Sequence, residues 1–148
     1  MDHTVVNELN AILKGEHMAI GAYERLIGDC QDEKVRNELK RFQQDHIRHA
    51  GELAQRIRTL GGQPYGGTGF AGLMASAKGL VESATGKGTA DVLRRAYDGE
   101  DKGIAMAEEI VKGDLDDESC GLVKRILGED HDHLRRMADM IGEYENME

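Results

Sequence analysis

The most informative stretch of the chain is a helical pattern of apolar residues that two histidines interrupt. Between residues 35 and 60, apolar side chains recur at alternating steps of about three and four, the period of one buried helix face. They are Val35, Leu39, Phe42, Leu53, Ile57 and Leu60. Continuing the same face across the gap reaches His46 and His49. Because buried titratable rings are costly unless something pairs with them, the pattern predicts polar partners elsewhere in the interior.

An internal repeat supplies such partners. When the chain is aligned with itself at an offset of 84 positions, 11 of the 57 residue pairs from 5/89 to 61/145 are identical. We interpret the repeat as one helix pair that was duplicated. The aligned polar positions are Glu16 with Glu100, Asp45 with Glu129, His46 with Asp130 and His49 with His133.

The periodic pattern predicts four helices in two hairpins. The predicted helices cover residues 4–28, 33–60, 90–112 and 116–144. Short breaks inside each pair make its two helices antiparallel neighbours. The segment 61–89 is too long for a tight turn, so we expect a crossover with a short helix over residues 70–84. The predicted fold is all-α: a single domain over 1–148, with helix pairs at 4–60 and 90–145.

Several side chains outside the polar positions carry weaker expectations. Gly21, Gly99 and Gly103 reduce helix propensity, so we expect close approach of neighbouring backbones, or room around a site, at these glycines. The methionines on the helices are interpreted as core residues; they are Met18, Met106, Met137 and Met140. The remaining histidines are expected to be solvated; they are His3, His17 and His131.

Composition narrows the classes of protein to which the chain can belong. Hydrophobic residues make up 39%, aromatic residues 4%, and there is one proline, which favours an all-helical chain. The net charge of -9 argues against nucleic-acid binding, which needs a basic surface. The sequence shows neither an apolar run of membrane-spanning length nor a secretion signal, so we expect a soluble cytoplasmic protein without a membrane partner.

The polar positions on the predicted buried faces point to a metal centre. They are Glu16, His46, His49, Glu100, Asp130 and His133. Residues three apart on a helix share a face, so each repeat contributes one group from its first helix and two from its second. Three carboxylates and three imidazoles in an apolar interior repel one another or need protons, whereas two divalent cations supply compensating charge. The sequence therefore predicts a dinuclear metal centre.

Some roles stay open at this point. Asp45 and Glu129 lie four residues before His49 and His133, and because i and i+4 share a face they are alternative ligands. Tyr23 follows Glu16 on the same face of the first helix, where it either donates a hydrogen bond to a ligand or packs in the core. A single buried histidine or glutamate is more often a hydrogen-bonded core group; six at matching levels favour the metal centre.

These residues resemble the ferritin-like superfamily of rubrerythrin- and bacterioferritin-like four-helix bundles, in which two helices each give a glutamate and two others each give Glu-x-x-His. Glu16-x-x-Ala19-x-x-x-Tyr23 resembles the first-helix motif of rubrerythrins, and the long crossover matches as well. The other matching site residues are Glu100, His49 and His133. The chain also resembles an uncharacterised bacterial ferritin-like domain family, at Gly15-Glu16, Leu60-Gly61-Gly62, Leu80, Thr85-Gly86-Lys87, Gly99-Glu100-Asp101 and His133.

The chain departs from the ferritin-like motif where the glutamates of Glu-x-x-His are replaced by His46 in one half and Asp130 in the other. The resemblance implies two bound divalent metal ions, with iron as the leading candidate and manganese or zinc as alternatives. It also implies oxidation of Fe(II) by dioxygen or peroxide, or reduction of peroxide, with a separate electron donor where one is needed, and a homo-oligomer. The alternative is a non-catalytic structural or interaction module whose site is empty or holds one metal, which the two replacements favour. Whether the protein is an enzyme stays open.

Overall fold

The computed structural model describes residues 3–66 and 88–147. Within these residues the chain forms four α-helices. They are α1 His3–Asp29, α2 Glu33–Thr59, α3 Thr89–Val111 and α4 Asp117–Met147. Each boundary lies close to the predicted one, because the period of the apolar residues changes at the connections. The four-helix prediction is therefore confirmed, whereas the short helix predicted over 70–84 lies outside the described residues.

The helices pack as two hairpins side by side. α1 contacts α2, α3 contacts α4, and the hairpins meet through α1 with α3 and α2 with α4. Each helix therefore has two neighbours around a common interior. This arrangement places the middle of all four helices around one apolar core.

The first turn between helices is held by side chains as well as by the backbone. Asp32 caps α2: its Oδ1 accepts a hydrogen bond from the Val35 N–H at 3.0 Å. Its Oδ2 accepts from the hydroxyl of Tyr144, near the end of α4, at 2.7 Å. The Arg36 guanidinium donates to the Cys30 carbonyl at 3.0 and 3.2 Å. One acidic cap thus joins the start of α2 to the last turns of α4.

The end of α2 is a Schellman motif that begins the crossover. Gly61 has φ of 83°, a left-handed conformation that glycine adopts readily. Its N–H donates to the Arg58 carbonyl at 2.9 Å, and the Gly62 N–H donates to the Ile57 carbonyl at 2.9 Å, which is the pairing of this motif. Gly62 also lies against α1, because a Cβ built there would come within 2.6 Å of Val6 Cγ1.

The apolar part of the interior consists mainly of aliphatic side chains, with few aromatic rings. The largest fully buried side chains, with less than 2% exposure, are Phe42, Leu9, Leu13, Ile20, Leu39, Leu53, Ile57, Leu93, Ile126, Met137, Met140 and His49. Burying a large apolar side chain stabilises a fold by about 1.5–3 kcal/mol. None of the described helices has the length and hydrophobicity that a membrane span requires.

Some side-chain predictions are wrong. Met18 and Met106 are 44% and 37% exposed, because each is two residues beyond a buried position and so faces away from the core. Gly99 and Gly103 are exposed, and a Cβ at either would meet nothing within 4 Å, so they mark no close approach, whereas the alternative of room around a site stays a prediction. Met137 and Met140 are buried as predicted.

Candidate metal centre

All six polar residues of the predicted buried faces meet in the interior. Each is nearly inaccessible to solvent: the exposed fractions are 6% for Glu16, 3% for His46, 0% for His49, 6% for Glu100, 6% for Asp130 and 3% for His133. α1 and α3 each provide one carboxylate, and α2 and α4 each provide two groups three residues apart. The arrangement follows from the helix period, which places these groups on the same face as the apolar core residues.

The side chains form two overlapping groups of potential metal ligands. One group is Glu16, His46, His49 and Asp130; the other is His46, Glu100, Asp130 and His133. Within each group the ligand atoms all lie within 4.8 Å of one another. His46 and Asp130 belong to both groups. The geometry is therefore that of a pair of adjacent four-residue sites with two shared members.

His46 lies between the two glutamates. Its Nδ1 is 2.5 Å from Glu16 Oε2, and its Nε2 is 2.9 Å from both carboxylate oxygens of Glu100. Burial lowers the pKa of His46, but the negative charges of Glu16 and Glu100 outweigh burial and raise it well above its ordinary value. Burial raises the pKa of both glutamates, and the His46 charge and hydrogen bonds bring each pKa below its usual value. In the metal-free protein a protonated His46 therefore neutralises part of the carboxylate charge.

His133 is also fully hydrogen-bonded. Its Nδ1 is 2.6 Å from Glu100 Oε1, and its Nε2 is 2.8 Å from Asp45 Oδ2. Burial lowers the pKa of His133, but hydrogen bonding to Glu100, the charge of Glu100 and the bond to Asp45 together raise it. The ring lies across Phe42, with 4.6 Å between the ring centroids. Packing and two carboxylates therefore determine its orientation.

His49 differs from the other two rings because neither of its nitrogens has a hydrogen-bond partner among the described residues. Its Nδ1 is 3.6 Å from Glu16 Oε1 and 3.7 Å from Asp130 Oδ1. Asp130 Oδ1 is likewise buried and unpaired in that part of the chain. These distances exceed those of hydrogen bonds, yet all three atoms converge.

This unpaired set fits a divalent metal ion. Buried polar groups without a hydrogen bond destabilise a fold, and a cation among imidazole and carboxylate ligands would satisfy all of them. The pKa of Asp130 is raised to about 7, mainly by burial and then by the charges of Glu100 and Glu16, although His46 acts in the opposite direction. An extra positive charge at this position would favour the ionised carboxylate.

Asp45 and Glu129 lie on the other side of the imidazoles. Asp45 contacts the outer nitrogen of His133, as described above, and Glu129 Oε1 lies 3.5 Å from the outer nitrogen, Nε2, of His49. Neither residue belongs to the two groups of converging atoms. Each carboxylate therefore faces the motif histidine of the opposite repeat, where it can orient the ring.

Tyr23 reaches the same cluster from α1. It is 3% exposed, and its hydroxyl donates a hydrogen bond to Glu100 Oε1 at 3.3 Å. Its ring stacks on His46 at 5.5 Å between centroids. The hydrogen bond and the core packing that the sequence left as alternatives both occur.

Three buried or bridging polar residues have positions that the sequence did not reveal. His17 was expected to be solvated, which is wrong: it is 8% exposed and its ring lies 5.4 Å from that of Tyr65. Gln43 is buried and donates to the Ile20 carbonyl at 3.0 Å. Arg48 bridges the outer carboxylates described above. The only sequence signal for the contact of Arg48 with Asp45 was their spacing of three residues on one helix. His3 and His131 are exposed as predicted.

Comparison with known proteins places the chain in a family. Residues 4–113 match the family described as Domain of unknown function (DUF2383). The chain belongs to this family. The matched part of this family member contains α1, α2 and α3 with Glu16, His46, His49 and Glu100, whereas Asp130 and His133 follow it. No curated protein sequence matches the chain.

Solved structures show the fold of this DUF2383 member to be ferritin-like. The bacterioferritin-related protein of Bacteroides fragilis, described as a dodecameric thioferritin, is 23% identical, with a TM-score of 0.81 over 99% of this chain and 90% of that chain. The bacterioferritin of Rhodobacter capsulatus, described with a metal-free dinuclear site and haem iron, is 22% identical, with a TM-score of 0.78 over 100% and 89%.

A third solved structure agrees. The bacterioferritin of Desulfovibrio desulfuricans, described with a diiron site, is 24% identical, with a TM-score of 0.78 over 97% of this chain and 81% of that chain. The structural similarity to these three proteins, at sequence identities of 22–24%, shows a shared fold. The predicted ferritin-like four-helix bundle, and its resemblance to an uncharacterised family, are therefore confirmed.

Proposed function

We propose that this chain is a single-domain ferritin-like protein that binds two divalent metal ions in the interior of the bundle, with iron as the leading candidate metal. The single observation that carries the proposal is the set of converging buried atoms, His49 Nδ1, Asp130 Oδ1 and Glu16 Oε1, that lack hydrogen bonds to one another. The donors of one site are Glu16, His46, His49 and Asp130, and those of the other are His46, Glu100, Asp130 and His133. Manganese and zinc accept similar ligands.

The two sites differ in what metal binding must displace. Around His49, the unpaired His49 Nδ1 and Asp130 Oδ1 can accept a cation without losing a hydrogen bond, and only the bond between His46 and Glu16 must be given up. Around His133, the hydrogen bond to Glu100 at 2.6 Å and those between His46 and Glu100 must be given up. We therefore expect the site containing His49 and Glu16 to bind the first ion more tightly than the site containing His133 and Glu100.

The proposed activity is oxidation of Fe(II) by dioxygen or peroxide, or reduction of peroxide. Bound iron would supply the electrons for either reaction. Glu16 and Glu100 would bind and orient the metal ions, and the motif histidines, His49 and His133, would bind them as neutral rings. The surrounding aliphatic side chains exclude bulk water. To act as a ligand, His46 would lose the proton that it carries between the glutamates, and the charge of a bound cation would compensate for that loss. An electron donor would be a separate protein.

A homo-oligomer is part of the proposal. The Bacteroides fragilis protein is described as dodecameric, and this chain has the same fold over nearly its whole length. Sedimentation of the purified chain would show whether it assembles. A monomer at micromolar concentration would contradict the proposed homo-oligomer but would not affect the proposal of metal binding.

One observation favours the alternative of a structural or interaction module without metal. His46 already connects Glu16 and Glu100 by hydrogen bonds, so a proton can take over part of the charge compensation of a metal. If that compensation is sufficient, the bundle folds and functions without a cation. The unpaired atoms around His49 oppose this alternative, since the proton on His46 does not reach them.

Metal content and Fe(II) titration test the proposal directly. Protein purified without chelators or affinity metal should contain close to two metal ions per chain by mass spectrometry or take up two Fe(II) anaerobically. Exposure to air should then produce a new near-ultraviolet absorption band. Glu100→Ala and His133→Ala should abolish the band and the second equivalent, whereas Glu109→Gln, on the exposed face of α3, should leave both unchanged. Substoichiometric uptake without a spectral change would overturn the metal-centre proposal in favour of the module.

A further inference from the structure

Arg48 lies on the surface between the two carboxylates that support the motif histidines. Its guanidinium donates to Asp45 Oδ1 at 3.2 Å and to Glu129 Oε2 at 3.4 Å, and it also contacts Glu129 Oε1. Asp45 and Arg48 belong to α2, whereas Glu129 belongs to α4. One side chain therefore connects the two helices at the level of the candidate metal centre.

Both carboxylates that Arg48 holds face the outer nitrogen of a motif histidine. Asp45 Oδ2 is 2.8 Å from His133 Nε2, and Glu129 Oε1 is 3.5 Å from His49 Nε2. In both rings the other nitrogen, Nδ1, faces the interior carboxylates. The hydrogen bond to Asp45 favours a proton on the outer nitrogen of His133, so that the inner nitrogen can serve as a ligand. Glu129 lies beyond hydrogen-bond distance of His49 and acts on that ring through its negative charge.

We infer that Arg48 is a positioning residue for both metal-binding histidines. By holding Asp45, it fixes the carboxylate that hydrogen-bonds the outer nitrogen of His133. By holding Glu129, it keeps a negative charge 3.5 Å from the outer nitrogen of His49, so that both Nδ1 atoms point into the centre. The inference rests on the proposed function, since it concerns ligands of the proposed metal ions. It extends that function to a residue whose own side chain contacts none of the six interior groups in the described contacts.

The chemistry of arginine suits this role. A planar guanidinium presents several donors in a rigid fork and can bind two carboxylates at once, whereas a lysine ammonium acts as a point charge. The opposite charge also keeps both carboxylates ionised: the pKa of Glu129 is lowered, first by its hydrogen bond from Arg48. An ionised carboxylate is the better acceptor for an imidazole N–H.

A merely structural role for Arg48 can be separated from positioning because the chain offers a matched control. Arg125 of α4 spans the same pair of helices: it contacts Glu52 at 2.5 Å and Glu129 at 3.5 Å. The two arginine side chains are similarly exposed, 46% for Arg48 and 49% for Arg125. Arg125 has no described contact with Asp45. Loss of a surface ion pair alone should therefore affect both variants alike.

The test is anaerobic titration of the full chain with Co(II), whose visible absorption reports the number and geometry of its ligands. The proteins compared are the wild type, Arg48→Ala, Arg48→Lys and Arg125→Ala, with thermal unfolding of each to establish that it is folded. Arg48→Ala should bind about tenfold more weakly, the lower end of the effect of removing support from a ligand histidine, and its Co(II) spectrum should change. Arg48→Lys should restore part of the affinity, and Arg125→Ala should stay within about twofold of the wild type.

Each result decides between the two proposals. Equal affinity and spectrum for wild type and Arg48→Ala would overturn the positioning role while leaving the metal centre intact. Equal losses in Arg48→Ala and Arg125→Ala would also overturn it, because they would show a general effect of joining α2 to α4. Failure of the wild type to bind Co(II) would overturn the proposed metal centre, and the role of Arg48 toward a metal with it.

Discussion

His49 Nδ1 and Asp130 Oδ1 face each other across 3.7 Å in the interior of the bundle, and neither has a hydrogen bond within the described residues. The distance is too long for a hydrogen bond, and both groups are buried. Such a pair destabilises the metal-free fold. A group that binds between them would relieve this effect, which is why Asp130 is the most informative position to change.

Asp130→Asn should have opposite effects with and without metal. The pKa of Asp130 is about 7 in the fold, compared with about 3.9 in an unfolded chain. A raised carboxyl pKa means that stability is lost as pH rises from about 4 to 7, and the loss is complete above pH 7. With chelator at pH 8, the neutral amide should raise the free energy of unfolding by about 1–3 kcal/mol, whereas at pH 4 the difference should vanish.

With Mn(II) present, the same substitution removes a carboxylate ligand. The wild type should gain about 2.7 kcal/mol at a metal concentration of 100 times its Kd, and the Asn variant should gain less. Urea unfolding at pH 4 and 8, with chelator and with Mn(II), measures all of these differences. Destabilisation of Asp130→Asn under every condition would contradict the prediction, because it would show a purely structural side chain.

Tyr23→Phe tests the hydrogen bond from the tyrosine hydroxyl to Glu100, 3.3 Å long. The phenylalanine ring keeps the packing against His46 and Phe42 but leaves Glu100 without this donor. We expect about 1 kcal/mol of lost stability in the metal-free protein and up to about tenfold weaker metal binding. Tyr97→Phe, partly buried on α3, is the control. Unchanged metal affinity in Tyr23→Phe would leave only the packing role.

Asp32 should make the acid stability of the bundle depend on one helix cap. Hydrogen bonds from the Val35 N–H and then from the Tyr144 hydroxyl hold the pKa of Asp32 below its usual value, against burial. A lowered carboxyl pKa contributes stability that is fully present above about pH 4 and is lost as pH falls through the folded pKa. Asp32→Ala should lower the free energy of unfolding by about 1 kcal/mol at pH 7.

Asp32→Asn separates the charge from the cap. Asparagine caps helices about as well as aspartate, so most of the stability at pH 7 should remain, but the acid-dependent part should disappear. Urea unfolding between pH 3 and 6 gives both curves. If the two proteins show the same slope in this range, a different carboxylate is responsible for the acid sensitivity.

Two glycines of the first hairpin should respond to alanine with opposite signs. At Gly62, a Cβ would lie 2.6 and 2.9 Å from the two methyl carbons of Val6, so Gly62→Ala should destabilise the fold by about 1–3 kcal/mol. Gly51 is exposed inside α2, and a Cβ there would meet nothing within 4 Å. Gly51→Ala should stabilise it by about 0.5–1 kcal/mol. Thermal unfolding of both variants measures the difference, and a destabilising Gly51→Ala would indicate that this face of α2 is covered in an assembly.

Periodicity and the internal repeat were sufficient to predict the four helices, their antiparallel pairs and the buried level of Glu16, His49, Glu100 and His133. These features are local, since a helix period of 3.6 residues decides which side chains share a face before any neighbour is known. The same information brought His46 and Asp130 to the interior. The sequence alone did not decide between residues 45 and 46 on α2, or between residues 129 and 130 on α4, as metal ligands.

Packing between helices decided the rest. Residues 45 and 46, like 129 and 130, differ by only about 100° around a helix, and the packing of α2 against α4 places Asp45 and Glu129 on the outer sides of the imidazoles. The burial of His17, the exposure of Met18 and the bridge made by Arg48 depend in the same way on which surface lies opposite. Sequence periodicity assigns a direction to each side chain, whereas its partner is set by a neighbouring helix that is distant along the chain.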